Sequence, residues 1–275
     1  MWCCSGESLL KGQDQYDLIL ALNYLTKLSK DRIIKFQRAL EYIRRVNLNE
    51  YSIITFWSEK YPYSLRKIRD PPLALIIKGI FPKVCCIGIV GSRRPRSENY
   101  ELAYKLAGAL AERGYCIVSG LALGIDTAAH KGALDFSGET IAVLPWLEPI
   151  TPRSNRELAY KIVKHGCLLS EILVKPEVAD FGSKYIKSLF IRRNRITSGL
   201  STILIAVDIA EDGGTLNTIE TAVKQGKDVL VVKSGIYSNK MLEKVLELNI
   251  KIVEPSIEAI IKFIERKTKL EKLFP

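Results

Sequence analysis

The chain has 275 residues, 47% of them apolar, enough to bury a full core in one large domain or two of ordinary size. Its 41 basic side chains against 30 acidic ones leave a formal charge of +11, which suits a polyanionic partner such as nucleic acid or an anionic membrane surface. Six cysteines (Cys3, Cys4, Cys85, Cys86, Cys116, Cys167) with no C-x-x-C spacing argue against a zinc site, no apolar run reaches the ~18 residues of a membrane span, and "MWCCSGESLL" is no signal peptide.

In chain order, residues 14 to about 46 read as two short amphipathic helices broken near Ser29 to Asp31, with Leu18, Leu22 and Leu25 on one face. They make a helical appendage, expected over residues 1–60. Pro62, Pro71 and Pro72 then mark an extended lead-in to the apolar strand in "LALIIKG", and the main domain is expected over 61–255. From Val84 onward, apolar strands near 84–90, 115–119, 140–144, 167–170, 202–207 and 228–232 alternate with helical segments. In "ENYELAYKLAGALAERG" the face is Leu102, Ala103, Leu106, Ala107 and Leu110, and Gly114 supplies the stop. Residues 256–275 carry one last helix, "SIEAIIKFIERKTKLEKL", with no winged-helix domain expected.

Strands that are apolar throughout and alternate with helices imply a mostly parallel sheet covered on both faces. The expected fold is α/β, an extended Rossmann-like doubly wound sheet. Ligands of such sheets bind beyond the carboxyl ends of the strands, where Gly91 to Arg94, Ser119 to Gly124 and Gly213 to Thr215 are expected to converge.

The first of these corners lies in "CCIGIVGSRRPRSENY". An apolar strand stops at Gly91, three arginines follow within four positions, and Ser97 with Glu98 reads as a helix cap. Free backbone N–H groups at the turn and fixed charge from Arg93, Arg94 and Arg96 suit a phosphate. The same residues also fit a solvated charge run, and the stretch alone leaves the two readings equal. In "SGLALGIDTAAH" the glycines and Ser119 make a second turn able to approach a phosphate, although a plain strand-to-helix turn capped by Asp126 accounts for it as well. Neither corner is G-x-G-x-x-G, and no acidic residue ends the second strand to grip a ribose, so a dinucleotide cofactor is disfavoured. No cofactor is expected. His130 sits in an Ala-rich helical segment and reads as a structural hydrogen-bonder.

Residues 84–236 are nearly balanced, 19 basic to 16 acidic, so their positive signal lies in clusters. The second cluster is Arg192, Arg193 and Arg195 in "SLFIRRNRITSGLS". Arginine forks match phosphate oxygens, and three within one helical turn repel one another unless something anionic lies between them.

Taken together, "YPYSLRKIRDPPLALIIKG", "GIVGSRRPRS", "SGLALGIDTAAHKGAL", "TIAVL", "LLSE", "FIRRNRITSGLS" and "GGTLNTIETAVKQGKDVLVV" resemble, in order and spacing, the DNA-processing protein A family (DprA/Smf) over roughly residues 60 to 255. The resemblance implies an extended Rossmann fold that binds single-stranded DNA in a basic pocket, as a homodimer in the cytoplasm, and helps load a RecA-type recombinase. Carried over, the family's motifs fall on Gly91, Ser92 and Arg93, on Ser119, Gly120, Gly124, Ile125 and Asp126, and on Arg193, Asn194 and Arg195, with Arg153 after Pro152 as a further basic residue. Arg94, Gly213, Gly214 and Thr215 complete the expected nucleic-acid-binding set. Ile191 departs from the family, where proline is usual.

The leading expectation is therefore a single-stranded DNA-binding protein without chemistry of its own. A second reading is a nucleotide phosphoribohydrolase of the lysine-decarboxylase-like (LOG) family, whose P-G-G-x-G-T-x-x-E signature is broken in "DGGTLNTIE" at Asp212, Leu216 and Asn217 but keeps Glu220. A third is a sensor of small nucleotides using the same pocket.

Overall fold

The computed structural model describes residues 48–175, 178–210 and 214–273. Residues 1–49 and 50–275 are two compact units, and the helices expected over residues 14–46 lie outside the described residues. The second unit carries the whole sheet. Its strands are β1 (Tyr51–Thr55), β2 (Ala74–Gly79), β3 (Cys86–Gly91), β4 (Cys116–Ser119), β5 (Thr140–Val143), β6 (Gly166–Ser170), β7 (Ile203–Asp208), β8 (Asp228–Val232) and β9 (Lys251–Val253). Its helices are α1 (Tyr63–Arg66), α2 (Ser97–Ala111), α3 (Ile125–Asp135), α4 (Arg156–His165), α5 (Val178–Leu200), α6 (Gly214–Lys224), α7 (Asn239–Glu247) and α8 (Ile257–Leu273).

The strands form one sheet in the order β1-β2-β6-β5-β4-β3-β7-β8-β9. From β6 to β9 all pairings are parallel, while β1–β2 and β2–β6 are antiparallel. The chain moves outward from β3 to β6, then α5 crosses back and β7 pairs with the other side of β3. That reversal is the switch point of a doubly wound sheet, where a crevice opens between loops that diverge.

Alternation along each strand explains the two layers. Ile87 and Ile89 of β3, with Ile203, Ile205 and Val207 of β7, join Leu106 and Leu110 of α2, Ala128 and Ala129 of α3, and Ile260 and Ile264 of α8 in one core. On the other face, Cys86, Cys116, Val118, Ile141 and Val143 meet Leu65 of α1 and Ile196 and Leu200 of α5. Beside them, Leu204, Ala206, Val229 and Val231 meet α6 and α7. Burial on both sides is why these strands are apolar throughout instead of alternating. Cys86, Cys116 and Cys167 are buried thiols without disulfides, and burial pushes the Cys116 and Cys167 thiols up.

Two expectations about organisation are corrected. The boundary at 60/61 falls after β1, which pairs residue for residue with β2 from Tyr51↔Lys78 to Thr55↔Ala74, so the division lies at 49/50. The helix expected as a separate piece over 256–275 is α8, and its Ile260, Ile261 and Ile264 are part of the main core. No helix among the described residues is long and apolar enough to cross a membrane.

Candidate nucleic-acid interface

The loop after β3 is shaped by its neighbours. The register of β3 against β7 shifts between Val90 and Gly91, which brings Gly91 opposite Asp208. The Ser92 N–H donates to the Asp208 carbonyl at 2.9 Å, and the Ser92 carbonyl accepts from the Ile125 N–H at 3.1 Å. The buried Ser92 hydroxyl accepts from the Arg94 N–H at 3.0 Å, closing a tight turn. Arg93 and Arg94 stand exposed beyond it. Arg96 is occupied by the Tyr237 ring, 4.1 Å below its guanidinium. Ser97 is the first residue of α2 and not its cap; that position falls on Arg96, without a side-chain bond.

Behind this loop a buried network fixes the start of α2. Asn99 Nδ2 donates to Asp208 Oδ2 at 3.0 Å and to the Ser234 carbonyl at 3.2 Å, and the Tyr237 hydroxyl also donates to Asp208 Oδ2. Burial, followed by the bond to Asp208, pushes the Tyr237 phenol up to about 12.

The loop after β4 depends on Gly124 and Asp126. Gly124 has φ +76 and its Cα faces the Ser92 carbonyl so closely that a Cβ would overlap it. Asp126, in the first turn of α3, accepts from the Gly120 and Ala122 N–H groups at 3.2 Å each, tying the loop back on itself instead of capping the helix. Asn155 Nδ2 donates to the Leu121 carbonyl at 2.9 Å and to Thr127 Oγ1 at 2.8 Å. No sequence pattern singled out Asn155, because its partners lie more than 25 residues away.

These loops and α5 enclose a pocket of about 640 Å³ at the carboxyl edge of β3, β4 and β7. Gly91, Ser92, Arg93 and Arg94 form one wall, with Gly120, Ala122 and Asp126 beside them. Gly214, Thr215 and Thr218 bring the N-terminus of α6, whose free N–H groups favour an anion. Phe190, Ile191, Arg193, Asn194 and Thr197 of α5 complete the lining. The three expected strand-end corners therefore meet, and Gly213 lies outside the described residues.

Arg193 is a half-buried cation of the pocket lining. It donates to the Val143 carbonyl at 2.8 Å and lies against Gly120, where any Cβ would collide with its guanidinium. Burial lowers its pKa, against the attraction of Asp126, and burial raises that of Asp126, against the attraction of Arg193. The two charges attract one another across the pocket lining. Arg93 crosses above, with its guanidinium 5.9 Å from the Phe190 ring. Thr197, 1% exposed, has a hydroxyl oxygen with no partner. Phe190, Arg193, Asn194 and Thr197 share a face of α5 by their spacing of three and four. That spacing was the available signal for Phe190 and Thr197.

Four expected site residues are placed elsewhere. Arg195 points away from the pocket: Nη1 and Nη2 reach Glu171 at 2.7 Å each and Nε reaches the Asp70 carbonyl at 2.7 Å. Arg192 also faces Glu171, at 3.4 Å. The anion between these two arginines is thus the protein's own carboxylate. Ser119 is fully buried and donates to the Ile89 carbonyl at 2.6 Å, joining two strands. Arg153 is exposed in a short turn outside the lining. Gly124 shapes the Ser92 loop without lining the pocket. Glu220 is not in the lining either. His130 is buried with Nδ1 2.7 Å from Thr140 Oγ1, and burial lowers its pKa to about 3, a structural role.

A family model described as DNA recombination-mediator protein A matches residues 52–263. The chain is 37% identical over 207 residues to DNA processing protein DprA of Bacillus subtilis, covering 74% of this chain and 66% of that one. It is 33% identical over 228 residues to Protein Smf of Escherichia coli, covering 80% of this chain and 58% of that one. The chain thus spans about half to two thirds of the length of these curated relatives. Among solved structures, DNA processing protein A from Helicobacter pylori, described for its single-stranded DNA binding mode, superposes with a TM-score of 0.67 at 26% identity, covering 79% of this chain and 96% of that one. DprA from Streptococcus pneumoniae gives 0.66 at 27% identity, covering 93% of each chain.

Proposed function

The chain belongs to the DNA recombination-mediator protein A family, and from that premise we propose that it binds single-stranded DNA without transforming it, by seating a backbone phosphate in the pocket at the carboxyl edge of β3, β4 and β7. The observation that carries this reading is the convergence of the Ser92–Arg94 turn, the N-terminus of α6 and the guanidinium of Arg193 on one open pocket. Exposed Arg93 and Arg94 supply charge-assisted contacts, and the turn amides supply oriented donors. Backbone contacts of this type give affinity with little base preference.

The phosphoribohydrolase alternative loses support because Glu220, the carboxylate its broken signature retains, stays out of the lining. Within this reading the protein acts in the reducing cytoplasm, as a homodimer, and delivers its DNA to a RecA-type recombinase.

The test is a comparison of single-stranded with duplex DNA by fluorescence anisotropy across a salt series. With about three to five phosphates neutralised, log K against log salt should fall with a slope of roughly −2 to −4. Arg93→Ala should weaken binding by about 1–3 kcal/mol, whereas Lys164→Ala, an exposed cation of α4 outside the lining, should change little. A slope near zero, preference for duplex, or equal loss in both variants would sink the reading.

A further inference from the structure

The segment between β1 and β2 contributes nothing to the pocket, yet it carries the two most exposed aromatic rings among the described residues, Trp57 at 72% and Tyr63 at 69%. Both are held in place. Trp57 stands edge-on to Phe56, with centroids 5.9 Å apart at 86°, and Phe56 packs at 5.5 Å against Tyr61. Tyr61 is buried, with its hydroxyl bonded to the Pro72 carbonyl at 2.7 Å. The Arg66 guanidinium lies over the Phe56 and Tyr61 rings at 5.6 and 5.7 Å and donates to the Ser58 carbonyl, which fixes the turn bearing Trp57. Lys67 Nζ sits 4.3 Å from the centre of the Tyr63 ring.

Cations flank these rings along the chain. Lys60, Lys67 and Arg69 are exposed. Of the two carboxylates in the same stretch, Asp70 is engaged by Arg195 at 3.1 Å, leaving Glu59. Topology puts this surface on the same edge of the sheet as the pocket. β1 ends at Thr55 opposite the first residue of β2, and Ile76 of β2 pairs with Ser170, the last residue of β6. The turn after β1 therefore emerges at the carboxyl edge of the parallel strands. It lies five strand positions from β3, about 24 Å at ~4.8 Å per strand.

We propose that Trp57 and Tyr63 form a second platform for the DNA strand held in the pocket, stacking on its bases while Lys60, Lys67 and Arg69 hold its phosphates. The inference rests on the proposed single-stranded DNA binding and extends it to the length of strand engaged. Rigid exposed rings set among cations match the unpaired faces and charged backbone of a single strand, which a duplex does not offer. An apolar protein partner is the poorer match, because two rings amid charges give it little continuous apolar surface.

The test uses the full chain and oligothymidylates of about 5 and about 25 nucleotides, a range that brackets the sites of single-strand binders. Trp57→Ala and Tyr63→Ala should each weaken the long oligomer roughly 5- to 150-fold, the equivalent of one stacked base, and leave the short one within about twofold. Arg93→Ala should weaken both. In a Trp2→Phe background, which removes the third tryptophan of the chain, Trp57→Phe should keep most of the affinity but abolish most of the tryptophan quenching on binding the long oligomer, since Trp146 is only 2% exposed. If the unsubstituted protein binds neither oligomer, the proposed function itself fails and the platform with it. If it binds both, and Arg93→Ala weakens both while the Trp57 and Tyr63 variants match wild type on the long one, the platform alone is wrong. Undiminished quenching when Trp57→Phe is added to the Trp2→Phe background overturns it too, even if Trp57→Ala proves unstable.

Discussion

Replacing Arg195 with methionine keeps the aliphatic stem and removes the charge, and the structure sets where the loss should be felt. Arg195 makes two parallel 2.7 Å bonds to Glu171, with side chains 10% and 11% exposed. Burial opposes its charge, but the bond and attraction of Glu171, with Asp70 behind them, carry its pKa upward. Asp70 is 68% exposed, so solvent screens that ion pair to less than about 1 kcal/mol. Losing the buried arginine strands Glu171 with only Arg192, at 3.4 Å. Removal of one partner from a buried pair costs about 3–5 kcal/mol, a large part of the ~5–15 kcal/mol that holds a typical domain. Urea unfolding followed by circular dichroism should therefore show a much lower midpoint at unchanged slope, while DNA binding of the folded protein stays within about twofold of wild type, because Arg195 is outside the pocket. Arg195→Met combined with Glu171→Leu should recover much of the stability, since an apolar pair leaves no buried charge unpaired. The reasoning is refuted if Arg195→Met remains within about 1 kcal/mol of wild type yet loses DNA binding as Arg93→Ala does.

Gly120→Ala should drive Arg193 out of its slot, break its bond to the Val143 carbonyl and weaken single-stranded DNA binding about tenfold, read by anisotropy. Asp126→Asn leaves the Arg193 charge unbalanced, so DNA binding should tighten at low salt and the salt slope steepen while urea stability falls. His130 is buried neutral with its pKa lowered from 6.5 to about 3. The unfolded chain takes up that proton first, so stability should fall as pH drops below 6.5, by at most ~1.4 kcal/mol per pH unit from this group, and His130→Gln should flatten that part of the profile. Incubation with AMP should release no free base, and release abolished by Glu220→Gln would instead point to hydrolysis.

Most of the sheet could be read along the chain. Six parallel strands and the apolar strand before them were legible, because a strand buried on both faces needs apolar residues at every position, and that need is local to each segment. The meeting of the three strand-end corners was equally legible, since parallel strands joined by helices must end on one edge. The short edge strands β1 and β9 were not, because exposure on one side removes the continuous apolar run. Sorting the arginines depended on what each one packs against. Arg193 and Arg195 are two positions apart in one motif, but on a helix that spacing turns them roughly 200° apart, one toward Asp126 and the pocket, the other toward Glu171. The chain carries three cations within four positions, whereas their partners, Glu171 just after β6 and Asp126 in the first turn of α3, decide which charge is used within the fold and which remains available to a phosphate.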